Sequence, residues 1–419
     1  MSLFTIIFIA VLAAKILMEV WLEQRHSRYV QSHRSAVPGY FSHAISLASH
    51  QKAADYTVAK IRLGHFEVLY GTLFFLFWTL GGGLDALDSF WHAQTESPVW
   101  MGLGFLLTFM LIVTLLDLPF EIYRTFVLEA KFGFNRTSVG LFLLDFFKQM
   151  LLMVLISAPL MALILWLMDS TGGWWWLLAW GLWSSVMLAM MWVYPTLIAP
   201  LFNKFQPLEE GELKDRIEAL LERCGFSSQG LFVMDGSKRS GHGNAYFTGM
   251  GNAKRIVFFD TLIEKLTPEE TEAVLAHELG HFKCHHIKKR IFTALFGLLI
   301  AFAILGFLGS KLWFYNGLGV LLPSNHVLLV LFMLAVPLFS FWLSPLSAMV
   351  SRAHEFEADR YATLHSDGKA LASALVKLYE DNASTLTPDP LYSAWHDSHP
   401  PAYIRISAIE TRLKEKPHG

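Results

Sequence analysis

Charge is what this 419-residue chain has little of. Asp, Glu, Lys and Arg together make 16% of it, where an ordinary soluble domain carries about 25%. A basic excess is missing too: 33 Lys and Arg face 35 Asp and Glu, a net charge of −2. That balance leaves no global basic excess to meet phosphate, which argues against nucleic acid as a partner. Cysteine is scarce. Cys224 and Cys284 are the only two, which excludes a disulfide framework and fits a reducing compartment. A cleavable leader is absent as well: no basic segment precedes the first apolar stretch and no small-residue cleavage site follows before Glu23, so that stretch reads as a retained span. No internal repeat and no low-complexity linker breaks the chain.

Apolar residue is what the chain has instead, 54% of it. Seven stretches approach the roughly 20 residues that a helix needs to cross a bilayer: Leu3–Leu22, Phe66–Leu87, Trp100–Ile122, Phe147–Met168, Trp174–Tyr194, Ile291–Leu312 and Val327–Val350. One such stretch could be a buried core helix; seven together imply a mostly α, polytopic membrane protein. Basic residues alternate between the loops. Arg25, Arg28, Arg34, Lys52, Lys60 and Arg62 follow the first span, and Arg124, Lys131 and Arg136 follow the third. Asp88–Val99 and Asp169–Gly173 hold none. The rule that cytoplasmic loops are basic then puts the N-terminus outside and the long region Ile198–Arg290 and the tail after Arg352 in the cytoplasm. Lys15, Glu19, Asp117, Glu121 and Asp145 fall in or beside spans. They imply a hydrated interior unless they sit at the interface or, as Lys15 and Glu19 at i,i+4 can, pair with each other.

The organisation expected is four segments: 1–197 with five spans and their loops, 198–290 as a small α+β unit, 291–350 with two spans, and 351–419 as a cytoplasmic helical segment. Within 198–290, Glu210–Cys224 is amphipathic and stopped by Gly225. Leu231–Met234, Ala245–Thr248 and Ile256–Phe259 read as strands. Gly249, Gly251 and Asn252 supply a turn for an Asn244–Phe259 hairpin. Thr267-Pro268-Glu269-Glu270 opens a helix, with Thr267 as N-cap, Pro268 in the first turn and Glu270 closing a capping box.

That helix contains His277-Glu278-Leu279-Gly280-His281. Positions i and i+4 share a helix face, so both imidazoles can hold one Zn²⁺. Glu278, beside the first ligand, is placed to polarise a zinc-bound water as general base. A catalytic zinc needs a third protein ligand and an open fourth position. Glu355-Phe356-Glu357-Ala358-Asp359 offers one: on a helix Glu355 and Asp359 share a face, Glu355 as ligand and Asp359 as acceptor for a ligand imidazole, with Glu357 turned to water. A plain charged juxtamembrane helix fits the same spacing equally well. Ser398-His399-Pro400-Pro401 with Arg405 offers an oxyanion donor in His399 and a brace for Glu355 in Arg405, although His-Pro-Pro is commonly just a turn. His285 and His286 read as membrane-surface residues. Asn244-Ala245-Tyr246 could hold an extended peptide by strand addition, or be an ordinary hairpin strand.

In combination, Ser240–Gly249, Lys254–Leu262, His277–His281, Ser351-Arg352 with Glu355–Asp359, His399-Pro400-Pro401 with Arg405, and Lys131-Phe132-Gly133-Phe134-Asn135 closely resemble the CAAX prenyl endopeptidase family of integral-membrane zinc proteases. The resemblance runs from the first span to the tail. It implies seven transmembrane helices forming a barrel around a water-filled chamber, a zincin-like catalytic unit with one Zn²⁺ per chain at its cytoplasmic end, and removal of three residues from a prenylated C-terminal Cys-a-a-X. It also implies that Glu355 is the third ligand, that His399 stabilises the transition state and that Asn244 touches substrate backbone. The compact loops and the ending Glu415-Lys416-Pro417-His418-Gly419, without a dilysine-type signal, suggest a bacterial inner-membrane member. The expected partners are a C-terminal peptide, prenylated or not, and the lipid bilayer, with no obligate protein partner. A general membrane quality-control protease, or a non-catalytic scaffold with a relic site, are the competing readings.

Overall fold

The computed structural model describes residues 2–248 and 255–415. Six helices lead: α1 (Leu3–Ser32), α2 (Leu47–Trp78), α3 (Gly83–His92), α4 (Pro98–Tyr123), α5 (Val139–Ser170) and α6 (Trp175–Val193). The polar region follows with β1 (Phe205–Pro207), α7 (Glu212–Arg223), β2 (Leu231–Met234), β3 (Ala245–Thr248), β4 (Arg255–Phe259) and α8 (Pro268–Lys283). Then come α9 (His286–Leu308), α10 (Asn325–Ser340), α11 (Ser344–His365), α12 (Gly368–Asp381), α13 (Pro390–His396) and α14 (Ala402–Glu415).

Six of the described helical stretches are long and apolar enough to cross a membrane, and seven if α2 and α3 count as one broken span. The second span therefore differs from the continuous Phe66–Leu87 read from the sequence. α2 stops at Trp78 and α3 leaves at an angle of 51°. The glycine run causes the break. Gly82 sits at φ +78, where a side chain is strained, and a Cβ on Gly81 would lie 2.8 Å from the Phe77 carbonyl oxygen. The last span differs in the other direction. After a tight turn at Phe341–Leu343, α10 continues directly into α11, so Glu355 and Asp359 ride on an extension of the span.

The four strands form one sheet in the order β1-β2-β4-β3, with β2 and β4 parallel and the other pairs antiparallel. The hairpin pairing is present, Ala245 facing Phe258 and Thr248 facing Arg255; its turn at Gly249, Gly251 and Asn252 lies outside the described residues. β3 is thus an outer strand. α8 starts where the sequence places it. Thr267 Oγ1 accepts from the Glu270 N–H and the Glu270 carboxylate accepts from the Thr267 N–H at 2.8 Å, closing the capping box.

Two large apolar cores result, with a smaller cluster of Tyr56, Leu63, Leu128, Phe132 and Phe134 beside them. One, among α1, α2, α3, α4, α5, α9 and α10, contains Phe8, Phe75, Leu84, Phe105, Leu165 and Leu331. The other joins the sheet, α7 and α8 to the C-terminal helices through Ile217, Phe258, Leu279, Ala362, Ala374 and Ile406. Segments 198–290 and 351–419 thus share a core although two spans separate them in the chain. Polar pairs occupy the bundle as well. Lys15 pairs with Glu19, Arg124 with Glu121 at 2.8 Å, and Arg239 reaches both Asp145 oxygens at 2.7 and 3.0 Å.

Candidate active site

α8 and α11 cross in close contact and bring the two halves of the motif together. One face of α8 presents His277 and His281, one turn apart, to Glu355 on α11. His277 Nε2 lies 3.2 Å from His281 Nε2 and 3.4 Å from Glu355 Oε2, and His281 Nε2 lies 3.2 Å from Glu355 Oε1. A tetrahedral zinc with bonds of about 2.0–2.1 Å needs ligand atoms about 3.3–3.4 Å apart, and these three separations, taken to one or the other Glu355 oxygen, lie close to that edge. Glu355 is 5% exposed, and its Oε2 is buried with no hydrogen-bond partner. The Arg405 guanidinium, 3.3 Å from that oxygen, offsets part of the cost of burying it, and a cation held by the three residues would offset the rest. The donor set fits a catalytic metal with one position left for water or substrate.

The outward nitrogens are held just as tightly. His277 Nδ1 lies 2.8 Å from Asp359 Oδ1, and the acceptor there fixes the hydrogen on Nδ1 and leaves Nε2 for the metal. Burial would lower the His277 pKa, but the hydrogen bonds to Asp359 and Glu355 prevail, raising it to about 9. Asp359 in turn accepts two hydrogen bonds from the buried Arg405, at 2.9 and 2.7 Å, and Arg405 Nη1 lies 3.3 Å from Glu355 Oε2. One guanidinium therefore holds both α11 carboxylates.

His281 has its own chain of support, which the sequence reading missed. His281 Nδ1 lies 2.9 Å from His286 Nδ1, and His286 Nε2 lies 2.9 Å from Glu357 Oε2. If His281 gives Nε2 to a metal, its Nδ1–H donates to His286, whose Nε2–H then donates to Glu357. Two expectations are corrected here. His286 is buried (2% exposed), not a membrane-surface residue, because the left-handed turn at His285 (φ 60) directs the start of α9 back onto α11. Glu357 is half exposed but bonded to it, not simply solvated. Only the spacing of five from His281 pointed to His286, and no helix periodicity spans the break at Cys284–His285.

A cavity of about 310 Å³ covers the cluster, lined by His277, Glu278, Glu355, His399, Arg405 and the strand entry Asn244-Ala245. Glu278 is half-buried and faces this space. His399 Nε2 is 3.4 Å from Glu355 Oε1, and its Nδ1 is 3.0 Å from the Ser398 hydroxyl. His399 is exposed to the cavity, its side chain 60% accessible; partial desolvation by the surrounding walls, together with the charges of Arg405 and the two motif histidines, lowers its pKa against the opposing pull of Glu355. A neutral ring whose Nδ1 accepts from Ser398 keeps its hydrogen on Nε2, aimed at the cluster. Tyr246 does not line the cavity; its hydroxyl is directed at the Met234 sulfur, 4.0 Å away, on the opposite face of β3. The Lys131–Asn135 segment docks beside the strand entry. Asn135 bridges Ser240, the Gly241 N–H donates to the Phe134 carbonyl at 3.0 Å, and Phe134 stacks on His242 at 4.3 Å.

A His/His/Glu cluster with a neighbouring glutamate, carried by helices that continue from a bundle of apolar spans, defines a multi-pass integral-membrane metalloprotease. Two family models together cover the chain: "CAAX prenyl protease N-terminal, five membrane helices" matches residues 26–204, and "Peptidase family M48" matches residues 207–413. The chain belongs to peptidase family M48, on its CAAX prenyl protease side. It is 34% identical over 423 residues to the CAAX prenyl protease 1 of Saccharomyces cerevisiae, covering 93% of this chain and 92% of that one. It is 32% identical over 455 residues to the human CAAX prenyl protease 1 homolog, covering 94% and 93%. The crystal structure of S. mikatae Ste24p superposes with a TM-score of 0.89 at 32% identity, covering 98% of this chain and 99% of that one.

Proposed function

We propose that the protein is a zinc metalloendopeptidase, with one Zn²⁺ per chain, that removes the C-terminal tripeptide from Cys-a-a-X peptides, prenylated ones included. The observation that carries this reading is the near-tetrahedral spacing of the His277, His281 and Glu355 atoms beneath one cavity with Glu278, His399 and the entry to outer strand β3. The substrate class rests on relatives named CAAX prenyl protease 1 that match nearly the whole chain.

Zinc, when bound, supplies Lewis acidity toward the scissile carbonyl and an acidified water. The remaining work falls to side chains. Asn244 and Ala245 take the peptide as an added strand along β3, which fixes its backbone beside α8. Tyr246 contributes only main chain there. Glu278 accepts the proton of the attacking water and passes it to the leaving amine. His399, neutral and protonated on Nε2, donates to the oxygen on which negative charge develops. Asp359 and Arg405 hold His277 and Glu355 in register and touch no substrate.

The spans form a barrel around a wet chamber, a reading supported by the Lys15–Glu19 pair within α1 and the Asp145–Arg239 pair on α5. The zincin-like catalytic unit combines 198–290 with 351–419, set apart from 1–197 and 291–350, and the shared core supports that division. The basic-loop alternation supports a cytoplasmic site and an outside N-terminus; the bacterial inner membrane is the proposed location.

Detergent-purified protein incubated with a farnesylated Cys-a-a-X peptide, followed by mass spectrometry, tests the function. Release of the intact tripeptide, abolished by a chelator, is expected. Cleavage of an unfolded membrane protein with no cleavage of the peptide would instead favour the quality-control reading.

A further inference from the structure

A second cavity, of about 530 Å³, opens on the other side of His399. It shares His399, Tyr379 and Ser384 with the cavity over the metal cluster, so the two spaces meet at one wall of side chains. Its other walls are strongly polar: Glu23 and His26 on α1, Lys60 on α2, and His396 and Asp397 at the end of α13. A prenyl chain gains free energy only by leaving water for apolar surface, and among these groups it would strip water from charges instead. The polar cavity is therefore fitted to the other end of the substrate.

The charges in it are not equally satisfied. Glu23 Oε2 lies 3.2 Å from His65 Nε2 without a hydrogen bond between them. Asp397 is hydrogen-bonded to Ser393. Lys60 lies over the Tyr56 ring, its ammonium 4.2 Å from the centroid; Glu129 attracts it from a distance, and among the described residues no carboxylate forms a close ion pair with it. Tyr56 itself is bonded to Glu129, its hydroxyl 2.5 Å from Oε1, which holds the ring, and the lysine on it, in place. One cation with donors to spare thus faces a cavity that abuts the catalytic histidine.

We infer that this cavity is a carboxylate-binding subsite, in which Lys60 receives the free C-terminal carboxylate of the substrate. The inference rests on the proposed function and deepens it. Three residues beyond the scissile bond span about 10 Å when extended, and the two cavities meet at His399, Tyr379 and Ser384, so the chain past the metal cluster is directed toward the second one. An enzyme that holds the terminal carboxylate at a fixed distance from its metal measures three residues from the end. The tripeptide length is then a property of the site as well as of the substrate.

The test uses two farnesylated peptides that differ only at the C-terminus, one a free acid and one an amide. The parent protein should cleave the acid about tenfold or more faster in kcat/KM, the scale of one charge-assisted hydrogen bond. Lys60→Met should bring the acid down to the rate of the amide, chiefly through KM, and Lys60→Arg should restore most of the preference. Equal cleavage of acid and amide by the parent, or an equal loss on both in Lys60→Met, overturns the subsite while leaving the proposed function standing. Calorimetry with the free tripeptide separates the two: acid-selective binding lost in Lys60→Met, with no cleavage of either peptide, would support the subsite and sink the function.

Discussion

Gly280 lies directly against Ala358. A Cβ built on Gly280 would come within 2.8 Å of the Ala358 Cα and 3.0 Å of its carbonyl oxygen. The x-x of the H-E-x-x-H motif is thus not free: its glycine lets α8 approach α11 closely enough for Glu355 to reach two histidines on the other helix. Ala358, completely buried, sits between Glu355 and Asp359 and makes the same demand from the opposite side.

Gly280→Ala should therefore weaken metal binding although it favours the helix. In an exposed helix interior the change stabilises by about 0.8–1 kcal/mol; here the methyl group pushes α11 away and the Glu355 oxygens with it. Zinc affinity should fall by at least about tenfold, the cost of displacing one ligand by a fraction of an ångström. A zinc titration with thermal unfolding of the metal-free form checks it. Unchanged affinity would mean that the helices yield without moving the site.

His286→Phe keeps the burial of the ring and removes its hydrogen bonds. His281 then loses the acceptor that sets its tautomer, and zinc affinity should fall about 10–100-fold. Glu357→Gln, half-exposed and one bond further out, should cost less. A graded loss in a competition titration with a chelator supports the chain from His281 through His286 to Glu357; no change in His286→Phe contradicts it.

The raised pKa of His277 makes metal binding pH-dependent. In the metal-free protein the imidazole keeps its second proton up to about 9, against an ordinary value of 6.5. That proton must leave before zinc enters, so apparent zinc affinity should rise by about tenfold per pH unit between 6.5 and 9. Stability moves in the opposite sense. A folded pKa raised above the unfolded one stabilises fully below pH 6.5, and the contribution is lost as pH rises through 9. The Tm of chelated protein should fall across that window, and the zinc-loaded Tm should not follow it.

Much of this was legible from residues in one stretch of chain. The capping box at Thr267 and Glu270, strands β2 and β3 and the i,i+4 pair His277 and His281 obey local periodicities, and they appear where those periodicities put them. What was hidden depends on contact between distant segments. β1 is three residues long and exists only because Phe205–Pro207 can pair with β2. The break at Gly81–Gly83 was masked by apolar residues on both sides. Glu355 was suggested by spacing, but a charged juxtamembrane helix has the same spacing; only the α8–α11 crossing brings its carboxylate within 3.4 Å of both imidazoles. His286 was invisible for the same reason, since its ring finds His281 and Glu357 on other helices, and Lys60, though it sits over Tyr56 on its own helix, meets the other walls of its cavity only through distant segments.

The most direct test is to strip the protein with a chelator and restore zinc in steps, following bound zinc and tripeptide release in the same samples, for the parent and for Glu278→Gln. The expected result is activity that rises with zinc and saturates at one ion per chain in the parent. Glu278→Gln should take up the same single ion and release no tripeptide. Cleavage by Glu278→Gln at the parent's rate, or full activity in the stripped protein, would contradict a metal centre built from His277, His281 and Glu355 with Glu278 as its base.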